Sequence, residues 1–272
     1  MDRGLVHAPG CFDALSATLV EQAGFDAAYL SGFALSAGSL GVPDLGLLGL
    51  DDVAGAVRRI TAQVSIPLIA DIDTGFGGPL NVRRTVLEVE AAGAAAVQIE
   101  DQVAPKRCGH FEDKEIVSLP DAVERVAIAV ESRRSADTVV IARTDAVAVT
   151  GIDAAIERGT AFVAAGADVV FVEALEDSDQ LALVSAALAG TPLLYNAVEG
   201  GRSPNLDAAT LASHGVRILI HPVTLLLETI RAQRAALVAL RSGQPATTET
   251  LATAREVVGA DEAIAFHADH RP

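Results

Sequence analysis

One phrase recurs along this chain: an alanine-rich helical stretch, an Ala-Gly pair or a close relative, then an unbroken apolar run that ends in polar residues. It reads Gln22-Ala-Gly-Phe-Asp-Ala-Ala-Tyr-Leu-Ser31, Ala92-Gly-Ala-Ala-Ala-Val-Gln-Ile-Glu-Asp101 and Ala165-Gly-Ala-Asp-Val-Val-Phe-Val-Glu173, with a weaker copy at His214-Gly-Val-Arg-Ile-Leu-Ile-His221. Each glycine stands where a helix C-cap is expected. Each run is continuous rather than alternating, as in parallel strands covered by helices. Strands are predicted at Leu5–Ala8, Ala27–Leu30, Pro67–Asp71, Ala96–Glu100, Val139–Arg143, Val169–Glu173, Leu193–Asn196 and Arg217–Ile220. Helices fall between them at Ala14–Ala23, Asp51–Gln63, Asn81–Ala92, Pro120–Arg134, Asp153–Ala165, Ser178–Ala189, Asp207–Ser213 and Leu225–Arg241. Strict alternation of eight strands with eight helices predicts an α/β fold, a (β/α)8 barrel of the TIM type, over residues 1–243. Ser242-Gly-Gln-Pro245 is a breaker, so 244–272 reads as an extension with one amphipathic helix at Glu249–Val258. That helix could dock on its own subunit or reach a neighbour.

The barrel directs attention to the strand ends, because active sites in this fold gather at the C-terminal rim. At or just past the strands stand Asp13, Ser31, Asp71 with Asp73, Glu100, Arg143 with Asp145, Glu173, Asn196 and His221. An apolar chain that places a polar group at nearly every strand exit is building one polar mouth. Asp13, Asp145 and His221 read equally well as helix caps or ordinary loop residues. Asp71 and Asp73, two apart on a strand, are expected to aim at one spot, and a Gly-rich turn follows them. Such a carboxylate pair suits Mg²⁺, with Mn²⁺ as the substitute and Glu100 joining through water. No His or Cys cluster competes for a softer metal.

Composition narrows the function. The net charge of −16 argues against nucleic acid and anionic membranes as partners. Half the residues are hydrophobic and the mean hydropathy is +0.37, but the excess is Ala and Val rather than a spanning run. The most apolar window, Ser31–Leu50, holds Pro43, Asp44 and several glycines, so it is expected to be a loop. Two cysteines, no C-x-x-C and no export signal point to a reducing cytoplasm. Dinucleotide and Walker glycine loops, H-E-x-x-H and the nucleophile elbow are absent. The richest stretch is Glu100-Asp-Gln-Val-Ala-Pro-Lys-Arg-Cys-Gly-His110, which leaves a strand and turns polar at once. The chain has twenty Lys plus Arg, yet its only lysines are Lys106 and Lys114, and Lys106 stands two residues from Cys108. An exposed thiol is a liability without a role, which singles out Cys108.

Taken together, Tyr29-Leu-Ser-Gly32, Gly38-Ser-Leu-Gly-Val-Pro-Asp-Leu-Gly46, Asp71-Ile-Asp-Thr-Gly-Phe-Gly77, Ile99-Glu-Asp-Gln102, Lys106-Arg-Cys-Gly-His110 and Ala142-Arg-Thr-Asp145 resemble the isocitrate lyase and phosphoenolpyruvate mutase superfamily, over Pro9 to about Gly243. The Lys-Arg-Cys-Gly-His form is that of its carbon–carbon lyase branch, where phosphonate-handling members carry Asn-Ser at Cys108 and Gly109. The resemblance implies a Mg²⁺-dependent lyase that splits a 2-hydroxy di- or tricarboxylate into a 2-keto acid and a carboxylate. It implies that Asp73 meets the metal while Asp71, Asp44 and Glu100 hold its waters. Tyr29, the backbone of Ser31 and Gly32, and Arg143 would bind the keto acid, with Glu173 and Asn196 on the other side. Cys108, flanked by Lys106 and His110, would supply the proton at carbon. Lys106, Arg107 and His110 should favour thiolate, whereas cleavage needs the thiol. A homotetramer or homodimer with the final helix exchanged is also implied.

Substrate identity is marked by departures. Methylisocitrate lyases carry Asn-x-Thr-Glu-Phe-Gly where this chain has Asn196-Ala-Val-Glu-Gly-Gly201, and Leu227 replaces an arginine. Loss of a hydroxyl and a cation favours a smaller 2-alkylmalate, such as 2,3-dimethylmalate, or oxaloacetate. Oxaloacetate or 3-oxoacid hydrolysis or decarboxylation is the alternative chemistry. A phosphonomutase follows, and a keto-acid-binding regulator comes last.

Overall fold

The computed structural model describes residues 4–109, 113–247 and 249–270. Eight parallel strands close into a barrel in chain order: β1 (Val6–Cys11), β2 (Ala28–Leu30), β3 (Leu68–Asp71), β4 (Ala96–Glu100), β5 (Val139–Thr144), β6 (Val169–Val172), β7 (Leu193–Asn196) and β8 (Val216–His221). Closure is made by β1, which pairs with β2 through Gly10 opposite Tyr29 and with β8 through Ala8 opposite Ile220. Around it run α1 (Ala14–Gln22), α2 (Gly32–Leu35), α3 (Leu50–Thr61), α4 (Pro79–Ala91), α5 (Leu119–Ser132), α6 (Val147–Thr150), α7 (Ile152–Ala164), α8 (Ser178–Ala187), α9 (Ala208–Ser213) and α10 (Thr224–Arg241). The (β/α)8 expectation therefore holds.

Why the strands are apolar without alternation is visible in two separate cores. Side chains of one parity, including Tyr29, Ile69, Ala96, Ile141, Phe171, Leu194 and Ile218, fill the barrel interior. Those of the other parity, such as Leu30, Leu68, Ala70 and Val97, pack outward beneath the helices. Both faces are buried, so both must be apolar. The inward row also decides what reaches the rim. Two residues beyond Tyr29, Ile69, Gln98, Ile141, Phe171 and Leu194 stand Ser31, Asp71, Glu100, Arg143, Glu173 and Asn196. The two-residue period of a strand thus delivers one polar group after another to the same mouth.

Two expectations are corrected. The Ser31–Leu50 window is not a plain loop. Its first half forms α2 and a π-helical turn at Ser36–Leu40, because the Ser31 hydroxyl accepts from the Ala34 amide at 3.2 Å and caps α2. The extension carries two helices rather than one. α11 (Leu251–Val257) stops at Gly259, whose φ of +64° breaks the run, and α12 (Ala260–Asp269) follows. α11 lies against α1 of the same chain, where Gln22 Nε2 donates to the Val257 carbonyl at 3.2 Å. Among the described residues no helix is long and apolar enough to cross a membrane.

Candidate active site

A cavity of about 220 Å³ opens at the C-terminal rim. Its floor and inner wall carry Tyr29, Ser31, Asp44, Asp71, Lys106, Cys108, Arg143, Glu173 and Asn196. Five strand exits and the loop after β4 therefore converge, as the polar mouth requires. Asp73, Glu100 and Gly32 sit just beneath the wall rather than on it. Asp13 and His221 resolve as structural groups. Asp13 caps α1 by accepting from the Ser16 amide at 2.7 Å, and His221 stacks on His7 with ring centroids 6.0 Å apart. His110 lies outside the described residues.

Arg143 organises one half of the site. It is 7% exposed, and its Nε and Nη2 donate to the two Asp145 oxygens at 2.9 and 3.0 Å. Nη1 lies 3.3 Å from Glu100, Nη2 lies 3.5 Å from Glu173, and the guanidinium stacks 5.2 Å above the Phe171 ring. Burial works against its charge, yet Asp145, Glu100 and Glu173 hold its pKa well above the usual value. The same cation, with Lys114, outweighs burial at Asp145 and keeps that carboxyl well below its ordinary range. Asn196 Nδ2 donates to Glu173 at 3.0 Å and orients it.

The acidic half is built differently from the strand-pair expectation. β3 ends at Asp71, and Asp73 turns over with φ of +48°. The two carboxylates converge through that turn, not through strand alternation: the Asp73 amide donates to Asp71 Oδ1 at 3.2 Å. Gly32 packs against both, for a Cβ there would lie 3.1 Å from Asp71 Oδ2 and 3.3 Å from Asp73 Oδ1. Its N–H donates to Asp71 at 3.4 Å. The Ser31 N–H is spent on the Cys11 carbonyl at 3.3 Å, so the expected backbone donor is already taken. Ser31 still lines the cavity, and its hydroxyl, which accepts from the Ala34 amide, keeps its own proton to donate. Burial and the charge of Asp71 push the Tyr29 phenol well above its usual pKa, so it stays a donor, to Gln98 at 3.1 Å and Asp71 at 3.3 Å.

Lys106 corrects the electrostatic reading of the loop. Its ammonium turns into the acidic half, 2.6 Å from Asp44 and 2.8 Å from Asp73. Burial opposes that charge, but Asp73, Glu100, Asp44 and Asp71 hold its pKa well above normal. Arg107 reaches outward toward Asp113 at 3.8 Å. Lys106 thus commits its charge to the acidic half, while the Arg107 pair is long and exposed. The other cysteine is buried: burial, with Asp13 nearby, pushes Cys11 to about 12. Alkylation of the native protein at pH 8 is expected to label Cys108 and spare Cys11, read by peptide mass spectrometry.

The rim suits a hard divalent ion that keeps much of its water. Among the described residues no three His, Cys, Asp or Glu side chains form a ready ligand cluster, so Asp71, Asp73 and Glu100 do not close into a cage. Both Glu100 oxygens nonetheless lack a hydrogen-bond partner while 2% exposed. Burial raises that carboxyl well above its ordinary value. Burial likewise lifts Asp73 to about 7 against the pull of Lys106. All-oxygen donors that are buried and short of partners fit Mg²⁺ bound by one or two carboxylates and water. A proton and the ion then compete for Asp73, so divalent affinity should weaken as pH falls below about 7, with proton uptake by Asp73. Calorimetry at pH 6 in buffers of different ionisation heat should show proton release on binding; none would contradict this.

Several groups escaped the sequence reading. Phe33, Ile220, Pro222, Val223 and Glu199 join Val198 and Leu227 on the distal wall, and Lys114 donates to Asp145 at 2.9 Å. The strand pattern gave little signal for the wall, which is assembled from α2, the loop after β7, and the end of β8 with the start of α10. Lys114 did carry one, as the second of two lysines.

A sequence model of the phosphoenolpyruvate phosphomutase family matches residues 2–241. The chain is 44% identical over 218 residues to the 2,3-dimethylmalate lyase of Eubacterium barkeri, covering 80% of this chain and 75% of that one. It is 44% identical over 235 residues to the 2-methylisocitrate lyase of Aeropyrum pernix, covering 86% and 75%. Among solved structures, oxaloacetate acetylhydrolase with 3,3-difluorooxalacetate superposes with a TM-score of 0.92 at 38% identity, covering 96% and 90%. Phosphonopyruvate hydrolase with oxalate and Mg²⁺ gives 0.85 at 33%, covering 98% and 94%. With this architecture, the family match and those relatives, the chain belongs to the phosphoenolpyruvate mutase and isocitrate lyase superfamily, in its branch of carbon–carbon lyases.

Proposed function

We propose that the protein cleaves the C2–C3 bond of a 2-alkylmalate such as 2,3-dimethylmalate, releasing a 2-keto acid and a saturated carboxylate. The observation that carries this reading is the shared cavity: Cys108 opens onto the same space as Arg143, Glu173 and the acidic rim. Arg143 and the Ser31 hydroxyl hold the carboxylate and oxygen that become the keto acid. Glu173, oriented by Asn196, receives the hydroxyl proton, while Tyr29 remains a phenol and donates. As the bond breaks, its electron pair moves into the departing carboxylate, and Cys108 returns one proton to carbon. Asp73, with Asp71, Asp44 and Glu100, would hold a Mg²⁺ ion, which when bound would supply charge stabilisation for the developing oxyanion. Small-molecule turnover in the cytoplasm, as a homotetramer or homodimer, completes the proposal. The apolar side chains exposed on α10 and α12, Leu237 and Phe266 among them, suit burial between subunits.

The distal wall decides among substrates. Val198, Ile220, Val223 and Leu227 are apolar, and the cations lining the cavity, Lys106 and Arg143, are already paired with carboxylates. A third carboxylate would meet hydrocarbon and Glu199. Turnover per unit KM for 2,3-dimethylmalate should therefore exceed that for methylisocitrate by about a hundredfold or more, the scale of an unpaired buried charge. A panel of 2-alkylmalates, methylisocitrate and oxaloacetate, with Mg²⁺ or EDTA, tests this. Oxalate and acetate from oxaloacetate, at a rate above keto acid from any malate, would favour the hydrolase reading that the oxaloacetate acetylhydrolase likeness supports.

A further inference from the structure

The chain's two lysines bracket Cys108, and both are buried: Lys106 is 5% exposed and Lys114 is 8%. Lys106 serves the acidic rim. Lys114 belongs to no group so far given a task, yet its ammonium is placed with economy. It donates to Asp145 Oδ1 at 2.9 Å and to the carbonyl of Gly109, the residue that follows Cys108. Asp145 Oδ1 also accepts from Arg143 Nη2 at 3.0 Å. One carboxylate oxygen thus joins the substrate-facing guanidinium to the ammonium that holds the thiol-bearing backbone.

We infer that Lys114 is a positioning residue that pins the Cys108–Gly109 segment onto Arg143, so that the thiol stands at a fixed distance from the bond being cleaved. The inference rests on the reading of Cys108 as proton donor. Three further observations support it. Gly109 lies so close to the site that a Cβ would fall 2.4 Å from Arg143 Nη2 and 2.7 Å from Glu173 Cγ. The anchor itself is immobilised from below: the Asp145 amide donates to Asp101 at 3.0 Å, and Asp101 accepts from Thr144 at 2.6 Å and Arg158 at 2.9 Å. An ammonium is also suited to the task, because its three donors radiate from one atom and can serve a carbonyl and a carboxylate together. Burying that charge is costly unless it is fully paired, so a lysine here is a poor choice for packing alone.

The test compares Lys114→Gln and Lys114→Arg with the wild-type protein by two readouts: steady-state turnover of 2,3-dimethylmalate with Mg²⁺, and the second-order rate of Cys108 alkylation by iodoacetamide. For Lys114→Gln, a small displacement of the thiol should cut kcat by about a hundredfold while KM moves little. Release of the segment should speed alkylation by about tenfold. Lys114→Arg keeps a charged multi-donor group, should fold if the neutral variant does not, and should lie between on both readouts. Unchanged alkylation in a folded Lys114→Gln or Lys114→Arg protein overturns the inference, even if kcat falls, because the loss then acts through Arg143 alone. Faster alkylation with kcat intact overturns it as well. Alkylation needs no turnover: a wild-type protein inert toward every diacid, with alkylation still accelerated in the variants, would uphold the pin and remove the lyase reading instead.

Discussion

Serine at position 108 is expected to lower kcat by about a thousandfold, within the range that a positioned general acid contributes. The two side chains are nearly isosteric, so the rim, the cavity and the Gly109 contact with Arg143 should persist. What changes is acidity: a hydroxyl gives up its proton far less readily than a thiol. Because the proposed task of Cys108 is at the carbon of the departing carboxylate and not in the keto-acid half, pyruvate should bind the variant with its wild-type affinity. Divalent affinity should also hold, since the carboxylates lie on β3, β4 and the turn after β3. Stopped-time assays and calorimetry with Mg²⁺ and pyruvate check the two halves separately. Retained turnover would remove Cys108 from the chemistry, and lost pyruvate binding would show a collapsed site instead.

Arg143 should be as sensitive, for a different reason. Replacing it with methionine leaves Glu100, Asp145 and Glu173 without their shared cation at 2%, 0% and 1% exposure. Removing one partner from a buried ion pair typically costs about 3–5 kcal/mol, so Arg143→Met should unfold well below the wild-type temperature. Arg143→Lys keeps the charge and should restore much of that stability. It cannot reproduce the fork that grips both Asp145 oxygens while presenting the remaining donors to substrate. The lysine variant is therefore expected to be folded but slowed by about a hundredfold or more. Thermal melts beside kinetics separate these outcomes. A stable, inactive methionine variant would mean that the three carboxyls do not depend on this cation.

Much of this arrangement was legible in the residues because strand period and barrel geometry act together. A polar residue two places beyond an inward apolar one has nowhere to go but the rim, which is why Ser31, Glu100, Arg143, Glu173 and Asn196 could be placed from spacing. The rule failed at Asp73. There the backbone leaves the extended region, a local choice that spacing does not encode. It also missed the π-helical turn after Ser31, since Ser, Gly and Pro in that window promise a loop unless the hydroxyl finds an amide to cap. The directions of Lys106 and Lys114 depend on which carboxylates the closed barrel brings within reach. The distal wall is assembled from segments near residues 33, 198 and 223, whose adjacency follows only from closure between β8 and β1. The break at Gly259 was within reach of the residues, since a glycine there stops a helix.

The central claim, carbon–carbon cleavage on a divalent rim with a thiol returning the proton, is tested most directly by product analysis in D₂O. The Mg²⁺-loaded protein should convert 2,3-dimethylmalate to equal amounts of pyruvate and propionate, with one deuterium at the propionate carbon that was C3. EDTA should abolish both products. No pyruvate from any hydroxy-diacid, or cleavage that continues in metal-free protein, would contradict the account.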